Sequence, residues 1–370
     1  MRFSSFSDEW TTTILKDSAS FYKGTGISKE ELSEEGHPCI LYGELYTTYK
    51  TEKIEDVKSK TSLPAEKLVK SKANDVIIPA SGETPIDIAT ACCIMNDDIL
   101  LGGDLNIIRI KNHNGVFLSC QLNGKRKLDI AKIAQGASIV HLHNDDLKKL
   151  KCYFPKTICE EEKIVAFLSK IDERIETQSK IINCLESLLN EISHHYFGSL
   201  SSAEIALSKI ADIYQPKTIS QSECSENGTY NVFGANGIIG KFNQYNHDLP
   251  QICITCRGST SGNVFMTESY SWITGNAMVI NIDKNLEIVN KTFLYYYLSS
   301  MSFKNIISGS GQPQIVREPL MKIKIKLPSL EEQLRFEKII SSFASKLQKE
   351  KDILALYKKQ KAYLLANMFI

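Results

Sequence analysis

The stretch PKTICEEEKIVAFLSKIDERIETQSKIINCLESLLNEISHHYF, residues 155–197, decides the architecture of this chain. Ile164, Leu168, Ile171, Ile175, Gln178, Ile182, Leu185, Leu189, Ile192 and Tyr196 follow one another at steps of four and three. That spacing places one stripe of side chains along one face of a helix, and its period is that of a coiled-coil seam. Nine of the ten are apolar. Pro155 ahead of the run and glutamates in its first turn favour a helix start there. Forty helical residues span roughly 60 Å.

Residues 328–369, PSLEEQLRFEKIISSFASKLQKEKDILALYKKQKAYLLANMF, repeat the pattern. Pro328 answers Pro155, and the seam becomes Phe336, Ile340, Phe343, Leu347, Glu350, Leu354, Tyr357, Lys361, Leu364 and Met368, eight of them apolar. Residues 157–204 hold 9 acidic and 4 basic side chains, net −5, and residues 330–370 hold 5 and 8, net +3. Opposite charge favours pairing of the two helices with each other. Gln178 and Glu350 share the polar seam position, which an antiparallel pair brings close together. The competing reading packs each seam on a globular body.

The repeat extends backwards. Gly103 matches Gly275 at an offset of 172; Phe117, Leu118 and Leu122 match Phe293, Leu294 and Leu298 at 176. Gly136 matches Gly309 at 173, and Val76, Ile78 and Gly82 match Ile252, Ile254 and Gly258 at 176. Each half therefore reads as a mixed globular region followed by a long helix. The runs VIIPAS, ILLGG, LNIIRI, QICITC and AMVINI read as strands, and GVFLSCQLNGKRK and KTFLYYYLSSMSF as short helices. Asn236-Gly237 marks a hairpin turn. The fold class is α+β, with two domains at 1–156 and 205–329, related by the repeat and separated by two long antiparallel coiled-coil helices at 157–204 and 330–370.

A chain of 370 residues with 42% apolar and 24% charged residues is a folded globular protein of more than one domain. Its net charge of +1 excludes a generally basic nucleic-acid coat. No apolar run approaches the ~18 residues of a membrane span, and the start lacks a signal-peptide core, so a cytoplasmic protein without membrane contact is expected. The ten cysteines are then reduced. Cys253 and Cys256 form a CxxC without the second pair a zinc ribbon needs, and they alternate with strand formers, which favours core packing. There is no GxxxxGK[ST], no GxGxxG opening a helix, and no GxSxG, since RGSTSG places Thr260 at the nucleophile position. His194-His195 reads as helix-end surface.

What remains suits binding. Arg257-Gly258-Ser259-Thr260-Ser261-Gly262 and Ser308-Gly309-Ser310-Gly311-Gln312-Pro313-Gln314 are polar and Gly-rich. Small residues allow close backbone approach. Arg grips guanine through two bonds, Gln reads adenine, and Ser and Thr take phosphates. Ordinary solvent-exposed loops are the competing reading. Residues 205–329 carry net +3 and residues 1–156 net zero, so the first half relies on local clusters such as Lys67, Lys70 and Lys72 or Lys125, Arg126 and Lys127.

The chain resembles the specificity subunits of type I restriction-modification systems. The resemblance rests on LPSLEEQLRFEKIISSF and its degenerate copy PKTICEEEKIVAFLSKID, on YNVFGANGIIGKF, ITCRGSTSGNV and GSGQPQIV, and in the first half on IIPASGETPIDIATACCIMNDDILLGGDLNIIRI and AQGASIVHL. It implies two target-recognition domains, each reading one half of a bipartite site in double-stranded DNA. It implies two long helices that dock two methyltransferase subunits, with separate restriction and motor subunits. The chain would then have no active site or cofactor of its own; its partners would use S-adenosylmethionine, ATP and Mg. The DNA-contacting positions it implies are Ala235, Asn236 and Gly237, then Arg257, Gly258, Ser259, Thr260 and Ser261, then Gln312 and Gln314. In the first half they are Ser81, Gly82, Glu83 and Thr84. Arg257 corresponds to Ser81 and Ser259 to Glu83, while Gln312 and Gln314 correspond to Ile139 and His141, so unlike half-sites follow. Glu83 could accept from cytosine N4 or point away. Two alternatives stay open: a specificity subunit of a combined restriction-methylation enzyme, and a coiled-coil adaptor without DNA contact.

Overall fold

The computed structural model describes residues 3–49, 51–136, 139–220, 223–225, 227–309 and 311–369. The two seams lie in helices Ile158–Ser199 and Leu330–Asn367, of 42 and 38 residues, with Met368 just past the end of the second. None of the twenty seam side chains is exposed, while His194 and His195 are. The C-terminal helix starts in a capping box: Glu332 N donates to Ser329 Oγ at 3.3 Å, and Ser329 N to Glu332 Oε2 at 3.1 Å. Two compact units divide the chain, Met1–Ser179 with Asp352–Ile370, and Lys180–Lys351. In the first, Ile164, Leu168 and Ile171 of the central helix share a core with Leu364, Leu365, Met368 and Phe369. In the second, Ile192, Tyr196 and Phe197 pack with Phe336 and Ile340. In each unit, then, the start of one helix meets the end of the other, an antiparallel pairing. The opposite charges of the helices appear as Lys361–Asp172 at 2.6 Å in the first unit and Lys351–Glu186 at 2.7 Å in the second.

The first unit is built on a five-stranded sheet in the order Ala19–Lys23, Leu105–Ile110, Asp75–Pro79, Cys92–Ile94, Lys53–Ile54. Asp75–Pro79 is buried throughout because both faces are covered: Val76 and Ile78 face the helical core, and Ile77 faces a second core with Ile94, Leu105 and Ile107. That is why the run VIIP lacks alternation. A further sheet of this unit runs Leu100–Leu101, His37–Ile40, Ser59–Thr61, Leu32–Ser33, with His37–Ile40 parallel to Leu100–Leu101 and antiparallel to Ser59–Thr61. The second unit has a four-stranded sheet, Asp212–Tyr214, Ala277–Asn281, Ile252–Thr255, Val264–Met266. It adds a three-stranded sheet of Gly237–Phe242, Tyr230–Gly234 and Trp272–Ile273.

The internal repeat holds at the level of register. Ile108 stands opposite Val76 in the first unit, and Ile280 opposite Ile252 in the second. The strand Thr11–Ile14 pairs with Lys151–Phe154, as Glu204–Ala206 pairs with Lys324–Lys326. Phe117 meets Phe369 edge-on at 5.2 Å, and Phe293 meets Phe197 edge-on at 5.5 Å. Asn114 caps the helix Gly115–Asn123 and Asn290 caps Lys291–Ser299. Each capping residue also donates its backbone N–H into the first turn of a long helix, Asn114 to Glu161 at 2.7 Å and Asn290 to Gln333 at 2.8 Å. Glu161 and Gln333 are fully buried, so these bonds fasten each long helix to its unit.

Cys253 and Cys256 are buried in the core of the second unit, and burial raises both thiols. Cys39 is pushed up to about 11, and Cys93 and Cys152 to about 12, again through burial. Cys159 and Cys184 are exposed and Cys224 is half-buried. Because the thiolate is the reactive form, an aromatic disulfide reagent at mildly alkaline pH is expected to consume Cys159 and Cys184 quickly and Cys224 more slowly. The other thiols react only after unfolding. Rapid labelling of Cys253 or Cys256 in the folded chain, located by peptide mapping, would contradict the packing described.

Candidate nucleic-acid interface

In the second unit the hairpin Tyr230–Gly234 and Gly237–Phe242 turns through Ala235 and Asn236, with Gly234 opposite Gly237. Gly237 has φ +99°, and a Cβ there would meet nothing within 4 Å, so backbone conformation rather than space calls for glycine. The loop after Ile252–Thr255 folds back on this tip. Thr260 Oγ1 is hydrogen-bonded to Asn236 Oδ1, and Thr255 Oγ1 donates to Ala235 O at 2.5 Å. The same loop reaches a third segment. Gly258 N donates to Pro313 O at 3.0 Å, Ser261 Oγ donates to the same carbonyl at 3.0 Å, and Arg257 stands opposite Gln314 in an antiparallel bridge. Residues 235–237, 257–261 and 312–314, distant in sequence, thus form one surface.

Asn236, Arg257, Ser259, Gln312 and Gln314 are exposed on it, while Ala235, Gly237, Gly258, Thr260 and Ser261 are half-buried. Arg257 makes no ion pair among the described residues, so its guanidinium fork is open to a partner. Ser310 lies outside the described residues. Beside the hairpin tip runs a groove of about 700 Å³ lined by Asn236, Thr260, Asn263, Phe265, Ser299 and Met301. Sequence reasoning did not single out Asn263, Ser299 or Met301. Ser299 ends the helix Lys291–Ser299 and Met301 follows it, and only the tertiary fold brings them here.

In the first unit Ser81–Gly82 pairs antiparallel with Val140–His141, Ser81 standing opposite His141. His141 is also paired with Gln135, through His141 N to Gln135 O at 2.7 Å and Gln135 N to His141 O at 2.9 Å. Ser81 and Gly82 are buried, whereas Glu83 and Thr84 are exposed. Thr84 is committed to capping the helix Pro85–Ile88: Asp87 N donates to Thr84 Oγ1 at 3.1 Å, and Thr84 Oγ1 donates to Asp87 Oδ2 at 2.6 Å. Of the four positions, Glu83 has the side chain left to reach outward. Ala137 and Ser138 of the run AQGASIVHL lie outside the described residues.

Among the described residues no group of three His, Cys, Asp or Glu side chains is placed to hold a metal ion, and no helix is long and apolar enough to cross a membrane. The surface offers a planar fork, carboxamides and hydroxyls on glycine-shaped backbone, which is the chemistry of base edges and phosphates.

The model of the type I restriction modification DNA specificity domain matches residues 7–187 and again residues 202–356. The chain belongs to this family, the type I restriction-modification specificity subunits. The two matches coincide with the two copies of the repeat. The type I restriction enzyme EcoprrI specificity subunit of Escherichia coli is 28% identical over 118 residues, 32% of this chain and 29% of that protein. The chain thus spans under a third of that relative's length. A putative type I specificity subunit of Mycoplasma genitalium is 26% identical over 260 residues, 65% of this chain and 67% of the relative. The crystal structure of a type I restriction-modification system S subunit from M. genitalium superposes with a TM-score of 0.60 at 19% identity, covering 98% of this chain and 96% of that one. A structure described for complex assembly and conformational transition of the type I system gives 0.61 at 16% identity, covering 96% of each. At these identities the structures speak for the fold.

Proposed function

We propose that this type I specificity subunit is the non-catalytic DNA-reading component of its complex. Residues 1–156 and 205–329 act as target-recognition domains, each reading one half of a bipartite site in double-stranded DNA. The helical segments 157–204 and 330–370 set the distance between half-sites and dock two adenine methyltransferase subunits. S-adenosylmethionine, ATP and Mg belong to those subunits and to the restriction and motor subunits.

One observation carries the reading. The same small ladder occurs in both units with different side chains: Ser81, His141 and Gln135 in the first, Arg257, Gln314 and Ser308 in the second. A repeated backbone frame whose exposed side chains differ, His141 and Gln135 in one unit and Arg257, Gln314 and Ser308 in the other, is what reading two unlike half-sites requires. Supporting contacts come from the exposed Asn236, Ser259, Gln312 and Glu83.

The test is to co-express the chain with its methyltransferase in a methylation-free host and to map modified adenines by single-molecule sequencing. The expected result is a split motif with two unlike halves and a fixed gap. A stable complex that leaves no modified motif would reject the reading.

A further inference from the structure

We infer that His141 is the base-reading residue of the first recognition domain, occupying the place that Gln314 holds in the second; the inference rests on the function proposed above. The correspondence is fixed by three pairings. Ser81 stands opposite His141 as Arg257 stands opposite Gln314, and Gln135 pairs with His141 as Ser308 pairs with Gln314. A glycine of positive φ follows the outer strand in both units, Gly136 at +132° and Gly309 at +90°. A Cβ at Gly136 would lie 2.0 Å from Ile139 O, and one at Gly309 2.5 Å from Gln312 O, so both turns close tightly on the ladder.

Within this shared frame the accessible chemistry has moved. Arg257 is exposed, but its counterpart Ser81 is only 6% exposed and cannot reach a partner. His141 is exposed, and its main chain is held on both sides by the ladder. Its imidazole has no hydrogen-bond partner among the described residues. A ring N–H can donate to guanine N7 or O6 or to adenine N7, acceptors that a purine presents in the major groove, and a purine is the base assigned to His141 here.

Because the ladder uses only backbone groups of His141, substitution there leaves the frame intact. The assay measures binding of the assembled methyltransferase complex to oligonucleotides carrying each single base-pair change in the mapped motif. With the unaltered chain, changing the purine read by His141 is expected to weaken binding about tenfold. In His141→Ala that penalty falls below about twofold at one position of one half-site, while penalties in the other half-site and the gap stay as they were. His141→Gln, which imports the residue of the second domain, is expected to restore a penalty at that same position. Penalties unchanged at every position, or reduced uniformly across both half-sites, would overturn the assignment. Absence of a split motif with the unaltered chain would instead defeat the proposed function, independently of His141.

Discussion

Replacing Lys361 by alanine is expected to destabilise the first unit by about 3–5 kcal/mol, the usual cost of stranding a buried charge. Lys361 Nζ lies 2.5 Å from Glu52 Oε2 and 2.6 Å from Asp172 Oδ1, and the side chains of Lys361 and Glu52 are 13% and 8% exposed. Burial alone disfavours the ammonium, but Glu52 and Asp172 together raise Lys361 above its usual value. Burial raises Asp172 even though Lys361 opposes it. The signs follow. Lys361, raised on folding, contributes stability below an unfolded value of about 10.5 and loses it as pH rises through the higher folded value. Asp172, also raised, is destabilising at neutral pH, and that penalty is relieved as pH falls through its folded value. Without Lys361 the two carboxylates face each other with only the weaker pull of Lys53 on Asp172 to offset them, so the Lys361→Ala variant should regain part of its stability in mild acid. The chain has two tryptophans, Trp10 in the first unit and Trp272 in the second. Urea unfolding followed by Trp10 fluorescence in a Trp272→Phe background reads the first unit by itself. An unshifted transition would show that the cluster contributes nothing.

The same cluster marks a limit on what a sequence shows. Lys361 sits in a seam whose other members are mostly apolar, and by spacing alone it is a defect. Its reason is Glu52, 309 residues away in sequence, and no periodicity links them. In the first unit's second sheet only Leu100–Leu101 fell in a run read as a strand, ILLGG; its other strands, within residues 32–61, are two to four residues long and offer too short a pattern to read. By contrast the long helices were legible because ten periodic positions average out single exceptions such as Gln178. The strands Asp75–Pro79, Ile252–Thr255 and Ala277–Asn281 were legible as short apolar runs between turn signals. The repeat added what neither pattern could, since matching offsets anticipate matching registers, as Ile108 opposite Val76 and Ile280 opposite Ile252 show.

The candidate interface was legible in composition more than in geometry. Glycines and polar residues pointed to loops, and the loops at 235–237, 257–261 and 312–314 do converge. Exposure is set by tertiary packing. Ser81 and Arg257 occupy one repeat position, yet one is buried and the other exposed, and the offset that aligned them carries no information on that point. Thr84, which the resemblance implied as a DNA contact, is bonded to Asp87 as a helix cap.

Arg257 gives the sharpest functional expectation. Arg257→Ala should lower discrimination at one base pair of the half-site read by the second domain by about 1–3 kcal/mol, a factor of ~5–150. Stability should change little, since Arg257 is exposed and unpaired among the described residues, and substitutions at such positions usually stay within about 0.5 kcal/mol. Arg257→Lys separates two explanations. Lysine keeps the positive charge and loses the planar fork that meets guanine N7 and O6 together. If Arg257 reads a base, the lysine variant should lose discrimination almost as the alanine variant does while retaining general affinity. If Arg257 contacts a phosphate, lysine should restore binding, and alanine should weaken every sequence alike and flatten the salt dependence. The motif modified by each variant complex distinguishes them directly: one relaxed position in one half-site identifies base reading, and an unaltered motif with lower occupancy rejects it. The neighbouring Gly258, at φ +93°, holds the backbone turn that sets Arg257 opposite Gln314, so if Arg257 reads a base, Gln314→Ala should relax a position adjacent to the one relaxed by Arg257→Ala.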